Sequence, residues 1–220
     1  MIVAIDGPAG VGKSTIAKNI AKKCNLYYIN SGSFYRAIAY KHLLHMGDPK
    51  SDVDIIKTAH SCNFSINDGK LVLDGKIVEH LLHNKEIDMA SSLFSSIIEV
   101  RNIVNEALRS TAKSLDIIME GRDITTVVFP QADVKFYFDA SVDIRAERRF
   151  QQNESDLSLQ ELKEEIIKRD YNDRNKKFGA LKRANDAVYI DTSYLTIDEV
   201  CDKVVQNILG LKQSKVSGES

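Results

Sequence analysis

The stretch from Ile2 to Thr15 constrains the fold of this chain more than any other part of its sequence. An apolar run at residues 2–5 leads through Asp6 into the nine residues Gly7-Pro8-Ala9-Gly10-Val11-Gly12-Lys13-Ser14-Thr15. These nine residues contain the spacing G-x-x-x-x-G-K-[ST], which is typical of a phosphate-binding loop between a strand and a helix. The pattern predicts a P-loop, in which backbone N–H groups and the positive end of a helix dipole face the same anion.

Two side chains at the end of this loop have predicted roles in binding a nucleoside triphosphate. Lys13 can reach the outer phosphates, and the Ser14 hydroxyl can ligate a Mg2+ ion carried by the triphosphate. The predicted triphosphate-binding residues are therefore Gly7, Pro8, Ala9, Gly10, Val11, Gly12, Lys13, Ser14 and Thr15.

Composition restricts the classes of protein that fit this chain. With 220 residues, of which 43% are hydrophobic, it can bury one sizeable core and small inserted lobes. A formal net charge of -1 argues against a general nucleic-acid binder. No apolar run approaches the roughly 18 residues of a membrane span, and the first strand begins at once, which predicts no secretory signal. Three scattered cysteines fit a reducing cytoplasm, so we expect a cytoplasmic protein without nucleic-acid or membrane partners.

Apolar segments alternate with helical patterns along the chain and predict a doubly wound α/β fold with a five-stranded parallel sheet and helices on both faces. After the first strand, the buried-type segments lie at 26–29, 116–119, 134–138 and 188–190. Ligands of such sheets bind at the carboxyl ends of the strands. We therefore expect the polar segments there to meet the P-loop in one cleft, namely residues 30–32, 121–123, 139–141 and 191–192.

Residues 62–80 have a different pattern, because short β-type segments are separated by the turn sequences Asn67-Asp68-Gly69 and Asp74-Gly75. Such strands do not belong to a parallel sheet, so we predict a small inserted β-lobe. The helical segments are predicted at 13–23, from 34, and at 52–61, 85–95, 97–114, 141–152, 158–175 and 197–211, before a disordered tail at 212–220.

A P-loop alone leaves several functions open. A GTPase needs the base-reading sequence N-K-x-D. Asn175-Lys176 continues with Lys177-Phe178, so the required aspartate is missing and the segment does not match. Motor and transporter ATPases usually end a strand in Asp-Glu, and Met119-Glu120 matches this only in part. Phosphoryl transfer between two anionic nucleotides needs much positive charge, and it is favoured by the arginines predicted around the cleft, which are Arg36, Arg101, Arg122, Arg145, Arg148, Arg149, Arg169 and Arg174.

Several segments resemble the bacterial cytidylate (CMP/dCMP) kinases, a group of the nucleoside monophosphate kinases. The resemblance runs from Ile2 to about Leu211, and residues 121–130 are its most specific part. The matching segments are 5–13, Ser31-Gly32 with Tyr35-Arg36, Gly121-Arg122-Asp123 with 126–130, 134–135 with 139–141, and Asp173-Arg174-Asn175. The resemblance implies an ATP-dependent, Mg2+-requiring kinase of pyrimidine metabolism that phosphorylates CMP and dCMP, and UMP more weakly.

The resemblance also implies roles for individual residues. Lys13 and the loop amides would hold ATP. The implied catalytic residues are Lys13, Arg122, Arg148 and Arg169, with Ser14 on the metal. The implied substrate-binding residues are Ser31, Arg36, Ser92, Arg101, Arg122, Asp123, Arg169, Asp173 and Lys176. They divide into Arg36 and Arg122 for the phosphate, Ser92, Arg101 and Asp123 for cytosine, and Arg169 and Asp173 for the ribose.

By the same resemblance, residues 1–220 form a single kinase domain. Nothing in the composition demands a dimer, so we expect a monomer. A monophosphate-binding lobe is implied at about 31–114 and a mobile helical lid at about 148–178, with Arg148 or Arg149 near ATP. Four residues depart from the family pattern, and they are Asn30, Ile98, Thr125 and Lys176, the last in place of an arginine that holds phosphate. Two alternatives remain: an adenylate-type or shikimate-type P-loop kinase, and a regulator that binds ATP without catalysis.

Overall fold

The chain divides into two compact units in a computed structural model that describes residues 1–67, 69–113, 115–152 and 157–217. The first unit comprises Met1–Tyr28 with Asp116–Ser220, and the second is Ile29–Leu115. The strands are β1 Ile2–Asp6, β2 Tyr27–Asn30, β3 Phe64–Asn67, β4 Lys70–Leu73, β5 Lys76–Ile77, β6 Ile117–Gly121, β7 Val134–Asp139 and β8 Val188–Asp191. The helices are α1 Lys13–Cys24, α2 Ser31–Leu44, α3 Asp52–His60, α4 Lys85–Phe94, α5 Ile98–Ala112, α6 Val142–Gln151, α7 Leu159–Arg174 and α8 Ile197–Ser217.

The larger sheet has the strand order β2-β6-β1-β7-β8. Strand β1 pairs in parallel with β6 on one side and with β7 on the other, and β8 continues the sheet in parallel. The predicted five-stranded parallel sheet of an α/β fold is confirmed. Because β1 is the central strand, the loop that follows it leaves the middle of the edge where ligands of such sheets bind.

One face of this sheet is covered by α1 and α8, which contact each other. The apolar positions of α1 recur at helical spacing, and alternate residues of β1 and of β7 point to the same face of the sheet, so both elements direct side chains into one core. The buried members of this core include Val3, Ile5, Phe136 and Phe138 from the strands and Ile16, Ile20, Val204 and Ile208 from the helices.

The second unit contains the small antiparallel sheet β3-β4-β5, with Ser65 opposite Val72 and Leu73 opposite Lys76. The β-lobe predicted at residues 62–80 is therefore confirmed. Three helices of this unit begin at side chains that accept a hydrogen bond from the first turn, as capping requires; these residues are Asn30, Ser51 and Asn84.

The C-terminal helix differs from its prediction. Helix α8 continues to Ser217, whereas a tail was expected from residue 212. Residues 211–217 contain neither glycine nor proline, so nothing in the sequence stops the helix there. The last three residues of the predicted tail lie outside the described residues. Among those described, no helix is both long and apolar enough to cross a membrane.

The core beneath the P-loop can be tested with two phenylalanines of different burial. Phe136 is completely buried, and Phe150 on α6 is 49% exposed. Phe136→Ala should lower the free energy of unfolding by about 3–5 kcal/mol, because it removes apolar contacts and leaves a cavity. Phe150→Ala should change it by only about 0.5 kcal/mol. Urea denaturation of both variants measures this difference, and equal losses would contradict the described core.

Candidate active site

The P-loop is shaped by glycines in conformations that other residues rarely adopt. Gly10 and Gly12 have φ angles of 82° and 86°. At Gly7, where φ is 155°, a Cβ atom would lie 2.2 Å from the carbonyl oxygen of Phe138. A side chain there would displace the loop from β7, so Gly7 is needed for packing as well as for its dihedral angle.

Three carbonyl oxygens of the loop accept hydrogen bonds from side chains. Lys13 Nζ donates to the Pro8 oxygen at 2.7 Å, and Arg145 Nη1 donates to that of Ala9 at 3.1 Å. Thr192 Oγ1 donates to the Val11 oxygen at 3.2 Å. In a planar trans peptide the C=O and the following N–H point in opposite directions. The amides that follow the Ala9 and Val11 carbonyls therefore point away from Arg145 and Thr192, an orientation compatible with an anion-binding nest.

Arg145 supports this loop from the interior of the first unit. Its side chain is 2% exposed. Its guanidinium donates to the Ala140 oxygen at 3.0 Å and to both carboxylate oxygens of Asp170, at 3.1 and 2.6 Å. The sequence placed Arg145 among the arginines expected around the cleft. In the structure, its guanidinium N–H groups donate to oxygen atoms of the protein itself. Arg145 holds the loop and helix α7 rather than presenting a free cation.

Glu120, the fourth residue of β6, carries a buried carboxylate beside the start of α1. Ser14 Oγ donates to Glu120 Oε1 at 2.5 Å, and the Tyr28 hydroxyl donates to the same oxygen at 2.9 Å. Sequence reasoning did not assign Glu120 to the site, although the partial match at Met119-Glu120 was a signal. A carboxylate that orients a P-loop hydroxyl is suited to a site for a metal–nucleotide complex.

Lys13 and Asp6 are both buried, at 5% and 0% exposure. Burial, followed by the positive charge of Arg122, lowers the pKa of Lys13 to about 7, while the negative charges of Glu120 and Asp6 oppose the shift. Burial also raises the pKa of Asp6 to about 6, against the hydrogen bonds it accepts. The lysine is therefore held in a region where a bound anion would greatly favour its charged form.

Asp6 ties β1 to the turn that follows Arg122. Its carboxylate accepts hydrogen bonds from the N–H groups of Ile124 and Thr125, each at 2.8 Å, and from the Thr125 hydroxyl at 2.6 Å. The departure from the family pattern at Thr125 thus adds a buried hydrogen bond. Asp123, just before this turn, is 5% exposed, and its backbone oxygen accepts from Val127 and Val128.

Three predicted substrate-binding residues of the first unit form one ionic cluster. Arg122 Nε donates to Asp173 Oδ2 at 2.8 Å, and Lys176 Nζ lies 3.2 Å from Asp173 Oδ1. Burial would raise the pKa of Asp173, but the charges of Arg122 and Lys176 outweigh it and lower the pKa to about 2. Arg169, half-buried on α7, acts on Asp173 and on Lys13 through its charge. The cluster leaves an excess of positive charge near Lys13.

Arg148 is connected to the P-loop through Thr192. Its guanidinium donates to the Thr192 backbone oxygen at 2.6 Å and to the hydroxyl at 3.2 Å, and this hydroxyl binds Val11. Arg149 lies 4.0 Å from Glu165 of α7. Helix α7 begins with a capping box between Ser158 and Glu161. Residues 153–156 of the predicted lid lie outside the described residues.

In the second unit, Arg36 is held beside the start of α2. Its Nε donates to Asp88 Oδ1 at 2.7 Å. A Cβ atom at Gly32 would lie 2.9 Å from Arg36 Nη1, so the glycine leaves room for the guanidinium. Asn30, a departure from the family pattern, accepts a hydrogen bond from Gly32 N at 2.8 Å and caps the helix. Ser31 follows it and is buried.

Arg101, also in the second unit, is only 3% exposed. Its guanidinium carbon lies 5.6 Å from the centre of the Tyr35 ring, and its Nη1 donates to the Ser95 oxygen at 3.0 Å. Ser92 is exposed on α4, and its backbone oxygen accepts from the Ser95 hydroxyl at 2.8 Å. Ser95 therefore connects two of the three residues predicted to contact cytosine.

The structure thus brings part of the predicted cleft together. In the first unit, Gly121 pairs with Asp6 of β1, and the segments 139–141 and 191–192 connect to the P-loop through Arg145 and Thr192. Residues 30–32 belong to the second unit. Their part in the cleft stays a prediction.

Comparison with known proteins identifies close relatives. The sequence family described as cytidylate kinase matches residues 3–209. A cytidylate kinase of Borrelia hermsii is 46% identical over 212 residues, which cover 94% of this chain and 97% of the relative. A gluconokinase of Sinorhizobium meliloti has a TM-score of 0.53 at 10% identity and covers 99% of this chain and 97% of its own. A shikimate kinase of Bacteroides thetaiotaomicron has a TM-score of 0.50 at 11% identity, with coverages of 96% and 98%. The two structures show the fold alone.

The ionic cluster predicts a specific dependence of stability on pH. Because the pKa of Asp173 falls from its ordinary value of 3.8 to about 2 on folding, its stabilising effect is complete above pH 4 and is lost as the pH falls through 2. Between pH 5 and pH 2, the advantage of wild type over Asp173→Asn in the free energy of unfolding should shrink by about 2 kcal/mol. Asp202→Asn, which alters an exposed pair with Lys23, is the control. Urea denaturation across this range tests it, and parallel curves for wild type and Asp173→Asn would contradict the ionic cluster.

Proposed function

Because the chain belongs to the cytidylate kinase family, we propose that it transfers the terminal phosphoryl group of ATP to CMP and dCMP, giving CDP and dCDP. The observation that carries this proposal is the concentration of cations around the buried Lys13. The charges of Arg122 and Arg169 both act on it. A P-loop that bound only a triphosphate would not require this additional charge, whereas two phosphate-bearing substrates would.

The residues of the P-loop fit ATP and Mg2+. The carbonyls anchored by Arg145 and Thr192 would leave the amides of residues 10 and 12 available to an anion, and Lys13 lies at the start of α1. The Ser14 hydroxyl would hold the metal while donating its hydrogen bond to Glu120. When bound, Mg2+ would neutralise phosphate charge and orient the transferring group. Lys13, Arg148 and the loop would hold the ATP phosphates in place.

The monophosphate is proposed to bind through the remaining cations. In the first unit, Asp173 orients Arg122 and Lys176, and Arg169 would reach the ribose together with Asp173. In the second unit, Ser31 and Arg36 would contact the phosphate, and Asp88 orients that arginine. Lys176 would act as a point charge where family members have a bidentate guanidinium.

The base would be read by hydrogen-bonding groups proposed from the resemblance, namely Ser92, Arg101 and Asp123. Cytosine presents an amino donor at N4 and an acceptor at N3, and uracil reverses both. A carboxylate or hydroxyl oxygen facing N4 and a guanidinium facing N3 or O2 would leave buried groups unpaired with uracil, at about 1–3 kcal/mol for each mismatch. Arg101 is held by Tyr35 and Ser95, which supports a fixed donor direction.

We propose in addition that residues 31–114 act as the monophosphate-binding lobe and about 148–178 as a lid that excludes water from the reaction. The protein is proposed to act as a cytoplasmic monomer. An adenylate-type or shikimate-type kinase is not favoured, because the family match covers residues 3–209 and the likeness to a shikimate kinase is one of fold.

The reaction is tested directly with a panel of acceptors. We expect CMP and dCMP to be phosphorylated, with UMP about ten- to a hundredfold lower in kcat/KM because of its unpaired groups. A coupled assay for ADP formation with CMP, dCMP, UMP, AMP and shikimate measures this. Preferential turnover of AMP or shikimate would support the alternative kinases. Binding of ATP without turnover of any acceptor would support the regulator.

The lowered pKa of Lys13 predicts that the protein takes up a proton when ATP binds. Its pKa of about 7 in the free protein means that it is mostly neutral at pH 8, and the phosphates would restore its charge. At pH 8, the wild-type protein should take up close to one proton more on binding ATP than the Lys13→Arg variant does, because the arginine guanidinium is always charged. At pH 6 the two proteins should differ little. Calorimetry in buffers of different ionisation enthalpy measures this uptake, and an equal uptake at pH 8 would contradict a neutral Lys13.

A further inference from the structure

The contacts of Tyr28 point to a function outside the roles already described. We infer that Tyr28 is a positioning residue for the Mg2+–ATP site and acts through Glu120. The inference rests on the proposed function, because it assumes that the Ser14 hydroxyl binds the metal of an ATP complex. It concerns only the first unit of the chain, to which Tyr28, Ser14 and Glu120 all belong.

Two donors converge on a single oxygen of Glu120. The Ser14 and Tyr28 hydroxyls donate to Oε1 at 2.5 and 2.9 Å. Glu120 is 5% exposed, so water contributes little to fixing its carboxylate. The Tyr28 hydroxyl therefore helps to fix the position of Glu120 Oε1, which accepts the hydrogen bond of the Ser14 hydroxyl.

The position of this acceptor matters when Ser14 binds a metal. A hydroxyl oxygen that gives a lone pair to Mg2+ must direct its proton to another group, and Glu120 Oε1 is in place to accept it. A rotated Glu120 would lose this hydrogen bond, or its carboxylate would compete with the phosphates for the metal. By donating to Oε1, Tyr28 opposes that rotation.

The ring of Tyr28 has separate contacts, which allow the hydroxyl to be tested alone. It packs against the core beneath α1 and α8. Lys18 Nζ lies 5.4 Å from the ring centre. Phenylalanine keeps both contacts, so Tyr28→Phe removes the hydrogen bond to Glu120 with little change in packing. Tyr27 is the neighbouring residue with a 48% exposed side chain, and Tyr27→Phe is a matched control.

The experiment compares the binding of a non-hydrolysable ATP analogue with Mg2+ and with EDTA, by calorimetry, without an acceptor. Wild type should bind the analogue more tightly with Mg2+. Tyr28→Phe should weaken binding with Mg2+ by about three- to tenfold, less than the loss of a direct second-shell carboxylate, and leave binding in EDTA unchanged. Tyr27→Phe should match wild type in both conditions. Adding Tyr28→Phe to Glu120→Ala, which removes the acceptor altogether, should have no further effect, because the hydroxyl acts through that side chain.

Each other outcome has a definite meaning. If Tyr28→Phe weakened binding of the analogue equally with Mg2+ and with EDTA, the inference would be overturned, since the residue would then shape the nucleotide site in general. Unchanged binding in both conditions, or additive losses with Glu120→Ala, would also overturn it. Wild-type protein that does not bind the analogue would contradict the proposed function itself. Wild-type binding with a Mg2+ effect that Tyr28→Phe retains would contradict only the role of Tyr28.

Discussion

The arrangement of the site depends on three hydrogen bonds to the carbonyl oxygens of the P-loop. Lys13, Arg145 and Thr192 engage the oxygens of Pro8, Ala9 and Val11. A loop with its carbonyls turned toward a phosphate would repel it, so the direction of each peptide decides whether the loop binds an anion. Side chains from outside the loop set two of these three directions. The geometry for phosphate therefore exists before any nucleotide contributes to it.

The same side chains connect the loop to the rest of the first unit. Thr192 follows β8, and its backbone N–H donates to the Asp139 oxygen at the end of β7. Arg145 pairs with Asp170 of α7, and removing one partner of such a buried pair leaves an uncompensated charge. The ends of two strands, one helix and the P-loop are thus held by a few directional contacts. Asp173 and Lys176 of the proposed phosphate-binding cluster lie on the same helix and the segment after it.

The sequence predicted the elements whose local pattern is strong. The apolar run before Gly7, the five strands and the turn-rich segment at 62–80 all appear in the structure. It did not reveal which charged residues are buried. Arg145 and Arg148 lie one turn apart on α6, and only the fold shows that the first gives its donors to Asp170 and Ala9. Glu120 was overlooked for a similar reason, because its importance lies in contacts with Ser14 and Tyr28, distant in sequence.

The preformed loop is tested most directly by measuring backbone motion of its amides in the nucleotide-free protein. 15N relaxation should give order parameters of about 0.85 for residues 9–12, the value of a rigid backbone. Values below about 0.6, rising only when ATP is added, would show that the nucleotide shapes the loop. That result would contradict the account in which Lys13, Arg145 and Thr192 fix its geometry in advance.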